Sequence, residues 1–315
     1  MLGFHFMNAI PIGPLGNETM RSNIYAWPIF NPCGVDRDVI KLNSGTPVVV
    51  HDLPINRRGM VALEYLIFEP RLQSQCNPTA FPNAEDWNSL SDLEKKNQRY
   101  ALARLIVVDI QQKATLMAEQ WNVNGSNYTK SLIDGSAFSS VQDSVQALSD
   151  ALFSIEKTKD VRLAKPLGLH VDCFSETGSC PELAEHTWSG LGVSAILAAT
   201  EGFSGGFFGA MPNIVHGFGF DDYLKTKGRE SIAKDIRSAL ARLQSTAEVF
   251  DSKQTLQTMI AEMDPTQCKA TTVTNRIVPI CAVFQDIREI STTMKIDMLA
   301  TLSLAAPASV QGDND

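Results

Sequence analysis

Glu64 is the residue of this chain whose surroundings most need a physical reason. It lies in NRRGMVALEYLIFEP, Asn56 to Pro70, amid Met60, Val61, Leu63, Leu66 and Ile67, with Arg57, Arg58 and Gly59 just ahead of it. An ionised carboxylate among apolar side chains is costly to bury alone, so it sits on a solvated edge or is held by something specific. A partner at Arg57 or Arg58 makes it a salt bridge. A perturbed carboxylate is equally what binding and catalytic sites employ. Both readings stand on the residues alone.

Other chemistry is sparse. The histidines His5, His51, His170, His186 and His216 form no H-E-x-x-H, which excludes a self-contained zincin site. There is no G-x-S-x-G elbow, and the glycine-rich GFSGGFFGAMP lacks the lysine and spacing of a phosphate-binding loop, so it reads as a helix end and a tight turn. The six cysteines have no paired C-x-x-C spacing of the structural zinc type. Two close pairs, CFSETGSC and CKATTVTNRIVPIC, suit disulfides Cys173 with Cys180 and Cys268 with Cys281, leaving Cys33 with Cys76. Other pairings, or six buried free thiols, remain open at this level, and Cys281 is expected inside a helix.

The elements that must position these residues are helical. In SDLEKKNQRYALARLIVVDIQQKATLMAEQWNV, Tyr100, Ala103, Val107, Ile110, Ala114, Met117 and Trp121 recur at steps of three and four, predicting a long amphipathic helix. SSVQDSVQALSDALFSIEK repeats the pattern through Val141, Val145, Leu148, Leu152 and Ile155, and the polar NVNGSNYTK between them predicts an antiparallel hairpin. KTKDVRLAKPLGLHVD shows no clean stripe and carries proline and glycine, marking a boundary near Pro166 between halves 1–165 and 166–315. Beyond it Ile232, Ile236, Leu240, Leu243 and Ala247, then Val283, Ile287, Ile290 and Met294, restore helical spacing. TPVVVHD is the main strand-like stretch and is too short to build a sheet. The fold class is all-α. The small-residue-rich RRGMVALEYLIFEP and TWSGLGVSAILAATEGFSGGF, each ahead of long helices, suggest a degenerate duplication of two bundles.

At 315 residues the chain can bury a large core, with 44% hydrophobic and 20% charged residues of ordinary globular type. Its net charge of −8 and scattered basic residues argue against nucleic acid as a partner. No apolar run of about twenty residues is present, so no transmembrane segment is expected. The N-terminal MLGFHFMNAIPIGPLGNETM lacks the basic start and cleavage site of a signal peptide, Asn17, Asn124 and Asn127 head glycosylation sequons, and the closing PASVQGDND reads as a solvated tail.

In order, NIYAWPIFNPCGVDRDV, RRGMVALEYLIF, ARLIVVDIQQKATLMAEQW, SGLGVSAILAATEGFSGGF and TMKIDMLATLSLAAPASVQGDND are similar to the successive landmarks of the imelysin-like family. The resemblance implies two four-helix bundles related by a pseudo-repeat. It implies a periplasmic or outer-membrane-associated protein of a Gram-negative bacterium, with iron uptake as its setting and a metallopeptidase heading. It also implies further chain upstream of residue 1, carrying a signal and a lipid anchor. The family signature is Gly-x-His-x-x-Glu. Gly59, Val61 and Glu64 fall on its fixed positions, so valine replaces the histidine. His and Glu at i, i+3 share a helix face and could grip a metal, whereas valine has no lone pair to offer. The expected function is therefore a non-catalytic binding protein with a site at Glu64, near the interface of the halves. Gly59, Val61, Arg57, Arg58, Ser189 and Ser194 are the accompanying binding residues, and an iron-related or small organic ligand is expected. The cofactor implied is iron or another divalent metal, with Glu64 as the one metal ligand named. The alternative is a metallopeptidase-like hydrolase in which Glu64 is joined by distant histidines such as His51 or His186.

Overall fold

The computed structural model describes residues 18–77, 84–209, 217–250 and 254–310. It is all-α, with no strand among the described residues; TPVVVHD forms a 3₁₀ turn over Val50–Asp52. Two compact units are present, one within Ile12–Ala137 and one within Phe138–Asp315. They divide earlier than the composition break near Pro166, which lies inside the second unit. The two helices expected to form a hairpin therefore belong to different units. His5, Asn17 and His216 lie outside the described residues.

In the first unit α1 (Glu18–Ile24), α2 (Pro32–Asn43) and α3 (Gly59–Phe68) pack against the long α5 (Asp92–Trp121). The short α4 (Ala84–Ser89) and α6 (Tyr128–Ile133) flank it in sequence. Ser91 starts α5 with a capping box, its hydroxyl accepting from the Glu94 amide while the Glu94 carboxylate accepts from the Ser91 amide. The buried stripe of α5 is Lys95, Arg99, Leu102, Ala103, Ile106, Asp109, Lys113 and Met117, which keeps Ala103 and Met117 of the expected residues. This corrects the expected stripe: Tyr100 and Val107 are 44% and 45% exposed. Charged residues face inward because each has a partner. Lys95 donates to the Asn88 carbonyl, Asp109 pairs with Lys113, and Arg99 enters the network described below. Hydropathy spacing cannot anticipate such pairing.

The second unit holds α7 (Val141–Leu152), α8 (Ile155–Lys157), α9 (Gly192–Phe208), α10 (Phe220–Thr226), α11 (Glu230–Ala247), α12 (Leu256–Glu262), α13 (Pro265–Ala270), α14 (Pro279–Thr293) and α15 (Leu299–Leu302). Helices α11 and α14 pack along each other through Ile232, Ile236, Leu243, Ile287 and Ile290, as their spacing predicts. Asp286, fully buried, is clamped at their seam by Arg242 Nε at 3.1 Å and by Arg276, whose Nη1 and Nη2 lie 2.9 and 2.6 Å from its two oxygens. Helix α9 ends with Gly209 at φ +63°, the left-handed closure expected of the glycine-rich run. Within PASVQGDND, Ala308–Val310 forms a 3₁₀ turn and Val310 joins the core, while residues 311–315 lie outside the described residues.

All six cysteines are paired: Cys33–Cys76, Cys173–Cys180 and Cys268–Cys281, with Cα separations of 4.5, 5.8 and 5.3 Å. Cys281 lies in a helix as expected. It reaches its partner because Pro279 opens that helix, which puts Cys281 in the first turn. Thiol titration of the denatured, unreduced protein should find no free thiol. Replacing Cys268 and Cys281 together by alanine should lower the unfolding free energy by about 2–4 kcal/mol, read from urea denaturation.

Candidate functional site

The chain enters α3 through a turn that only glycine accommodates. Gly59 has φ +77°, and a Cβ there would stand 2.5 Å from the Ile24 carbonyl oxygen and 2.9 Å from that of Asn23. Arg58, 9% exposed, ties the same corner: its Nη2 donates to Asn23 Oδ1 at 2.6 Å, and its Nη1 donates to the carbonyls of Val50 and His51. Arg57 pairs with Asp38 of α2, Nη1 to Oδ1 at 3.4 Å. Both arginines thus build the entry to the helix that bears Glu64.

Along α3, Val61, Ala62, Tyr65 and Leu66 are buried, Ile67 and Phe68 are exposed, and Glu64 is half-buried between the two faces and engaged with a partner. The inner face is fixed by a polar network. Tyr65 donates its hydroxyl to Asp36 at 3.0 Å, and the Gln75 amide donates to Asp36 Oδ2 at 2.7 Å. Arg99 places Nη2 3.6 Å from Asp36 Oδ1 and its guanidinium 5.0 Å from the centre of the Tyr65 ring. The same arginine donates to the carbonyls of Glu69 and Arg71, each at 3.1 Å. Burial pushes the Asp36 carboxyl up, with the Gln75 amide and Arg99 opposing it. Burial, and next the Asp36 charge, push the Tyr65 hydroxyl up, so it remains a donor. Helices α2, α3 and α5 are thereby held in one register.

A second constellation, in the Phe138–Asp315 unit, was not foreseen from the sequence. Helix α8 continues into a π-helical turn over Thr158–Ala164, and α14 continues into another over Met294–Met298. Glu156, 6% exposed, receives Lys159 Nζ at 2.8 Å, Lys295 Nζ at 3.4 Å and the Ser291 hydroxyl. Lys159, 1% exposed, also lies 3.5 Å from Asp160. One turn on, Arg162 Nε stands 2.7 Å from Glu185 Oε2, with His186 Nε2 3.9 Å from the other carboxylate oxygen. Burial pushes the Glu185 carboxyl up, to about 7, and His186 beside it pulls the other way. His186 has φ +58°, an uncommon backbone for a non-glycine residue and a mark of local constraint. A carboxyl poised near neutrality beside an imidazole can accept or donate a proton. The missing clue was the period: a π turn inserts a residue and breaks the 3.6 spacing, so SIEKTKDVRLAK shows no stripe.

Ser189 and Ser194 belong to this second unit, as does His186, whereas Glu64 and His51 belong to the first. Ser189 is half-buried and engaged, and Ser194 is exposed near the start of α9. His51 is exposed, its Nε2 3.0 Å from Asp52. A family model described as Imelysin, under a peptidase heading, matches residues 4–277. The chain belongs to the imelysin family. No curated protein and no solved structure matches it. For an imelysin-family chain the disulfides fit an oxidising compartment, and among the described residues no helix is long and apolar enough to cross a membrane. Among the described residues the donors do not fit the metal implied by the peptidase heading. Val61 supplies no lone pair, and the described residues contain no group of three His, Cys, Asp or Glu side chains placed to hold a metal ion.

Two substitutions test the architecture. Gly59→Ala should destabilise by more than about 1 kcal/mol through its backbone conformation and contact with the Ile24 carbonyl. Lys159→Met should cost about 3–5 kcal/mol by stripping Glu156 of its nearest cation. Urea denaturation followed by circular dichroism reads both.

Proposed function

We propose that this imelysin-family chain is a periplasmic binding protein linked to iron uptake, with Glu64 on α3 as its binding carboxylate, and not an active peptidase. The observation that carries the reading is Val61. It is 3% exposed and packs into the core at the signature position where the family has a histidine. A catalytic zinc site takes three protein ligands and keeps one open position. Glu64 without a neighbouring imidazole is a weak metal ligand, but a half-buried carboxylate accepts strong charge-assisted hydrogen bonds from a ligand's donors. Gly59, Arg57 and Arg58 serve the site by shaping the turn and bracing the start of α3. An anchor to the outer membrane through upstream chain belongs to the same reading and rests on the family resemblance.

The peptidase heading of the matching family supports a second reading, hydrolysis by a metal held on Glu64 and distant histidines. His51 and His186 would have to leave their neighbours Asp52 and Glu185 to serve it.

Calorimetric titration of the wild type, Val61→His and Glu64→Gln with zinc and with ferrous iron discriminates the two. The wild type should bind neither tightly and should show no zinc-dependent cleavage of casein, while Val61→His should gain affinity wherever it stays folded. Tight, Glu64-dependent metal binding by the wild type would favour the hydrolase. Ferric citrate and haem probe the iron link: one of them should raise the wild-type melting temperature and fail to raise that of Glu64→Gln. If neither does, the iron link is wrong.

A further inference from the structure

Helix α5 runs for 30 residues, and its outward side lacks the charge that a solvated helix face carries. Between Asn97 and Ala118 its exposed side chains include one charged residue, Arg104. The exposed side of α11, by contrast, carries Glu230, Lys234, Asp235 and Arg237 near its start alone. In place of charge, α5 turns an apolar stripe to water. Leu105, Val108 and Leu116 are 38%, 50% and 48% exposed, with Ala101 and Gln112 in line with them. The eleven-residue step from Leu105 to Leu116 is close to three helical turns, so the stripe keeps to one side of a nearly straight helix. Contiguous apolar surface of this kind marks an interaction site.

Two exposed charges edge the stripe, Arg104 near its start and Glu119 just past its end, and neither makes an ion pair among the described residues. Arg104 comes one residue before Leu105 and Glu119 three residues after Leu116. At about 100° per residue both positions fall on the same edge. In an antiparallel pair of helices related by a two-fold axis, like edges meet, so Arg104 of each copy faces Glu119 of the other and both ion pairs form at once. The axis then passes beside Gln112, whose amide can both donate to and accept from its own counterpart. The same register lays Leu105 against Leu116 of the second copy, offset by about 3 Å of helix rise, and Val108 against Thr115. A parallel pairing would set Arg104 against Arg104 and Glu119 against Glu119, which repels. The stripe is thus complementary to itself, in one orientation.

We propose that this face of α5 pairs antiparallel with the same face of a second copy of the chain, in a reversible dimer. The contact uses none of the residues argued above for binding at Glu64.

Sedimentation equilibrium of the full chain from about 1 to 200 μM, a range that spans micromolar dissociation constants, tests it. The wild type should pass from monomer to dimer across this range. Leu105→Gln combined with Leu116→Gln should stay monomeric throughout. Arg104→Glu alone and Glu119→Arg alone should each weaken association by at least about tenfold, because each sets two like-charge pairs across the contact. An equal mixture of these two charge variants should dimerise as the wild type does, each supplying the charge that the other lacks. Weakening alone and recovery on mixing together require Arg104 to face Glu119. Unchanged circular dichroism confirms the fold of each variant. Glu64→Gln should leave the association constant unaltered, so failure here and failure of the Glu64 reading are distinguishable. A monomer at every concentration would overturn the proposal. So would a dimer that either set of substitutions leaves intact, or charge variants that mixing does not rescue.

Discussion

An ionised carboxylate removed from water costs several kcal/mol unless cations and hydrogen-bond donors replace its hydration, and both units of this protein are organised around meeting that requirement. In the first, Asp36 is 1% exposed and collects a tyrosine hydroxyl, a backbone amide and Arg99. In the second, Asp286 is clamped by Arg242 and Arg276, and Glu156 by Lys159, Lys295 and Ser291. Each set draws its members from different segments of its unit. The ion networks therefore act as register pins between helices whose apolar faces alone would tolerate sliding.

The motif helix follows from this arrangement. Tyr65 is the donor that links α3 to Asp36, so the angular setting of α3 is fixed from its buried side, and Glu64, one residue earlier, is held at the half-buried flank. Gly59 permits the turn beneath the carbonyls of α1, and Arg58 closes the corner. The family's glycine is thus a backbone requirement, and its glutamate is a placed carboxylate. The valine between them belongs to the core. Valine at this position offers no lone pair, so the helix carries Glu64 without an imidazole one turn before it.

The π turns play a comparable part in the second unit. Each adds a residue to a helical turn, and Lys159 and Lys295, one on each π turn, converge on Glu156. Arg162 of the first π turn then reaches Glu185, next to the constrained His186. The result is a dense, charge-matched region beneath the start of α9, in a unit also stapled by two disulfides.

Local and nearest-neighbour physics was legible in the sequence. The 3.6-residue spacing of Ile232, Ile236 and Leu243 and of Val283, Ile287 and Ile290 fixes the buried faces of α11 and α14, and close cysteines in an oxidising setting pair with each other. What the sequence left undecided depends on partners far along the chain. Which stripe of α5 turns inward depends on Arg99 meeting Asp36 and on Asp109 meeting Lys113, so a hydropathy pattern alone selects Tyr100 and Val107, which the fold leaves exposed. A π turn erases the period by which helices are recognised, which made the segment after Ile155 resemble a linker. Burial of charge is decided by tertiary pairing, because only an assembled fold brings the compensating ion within reach.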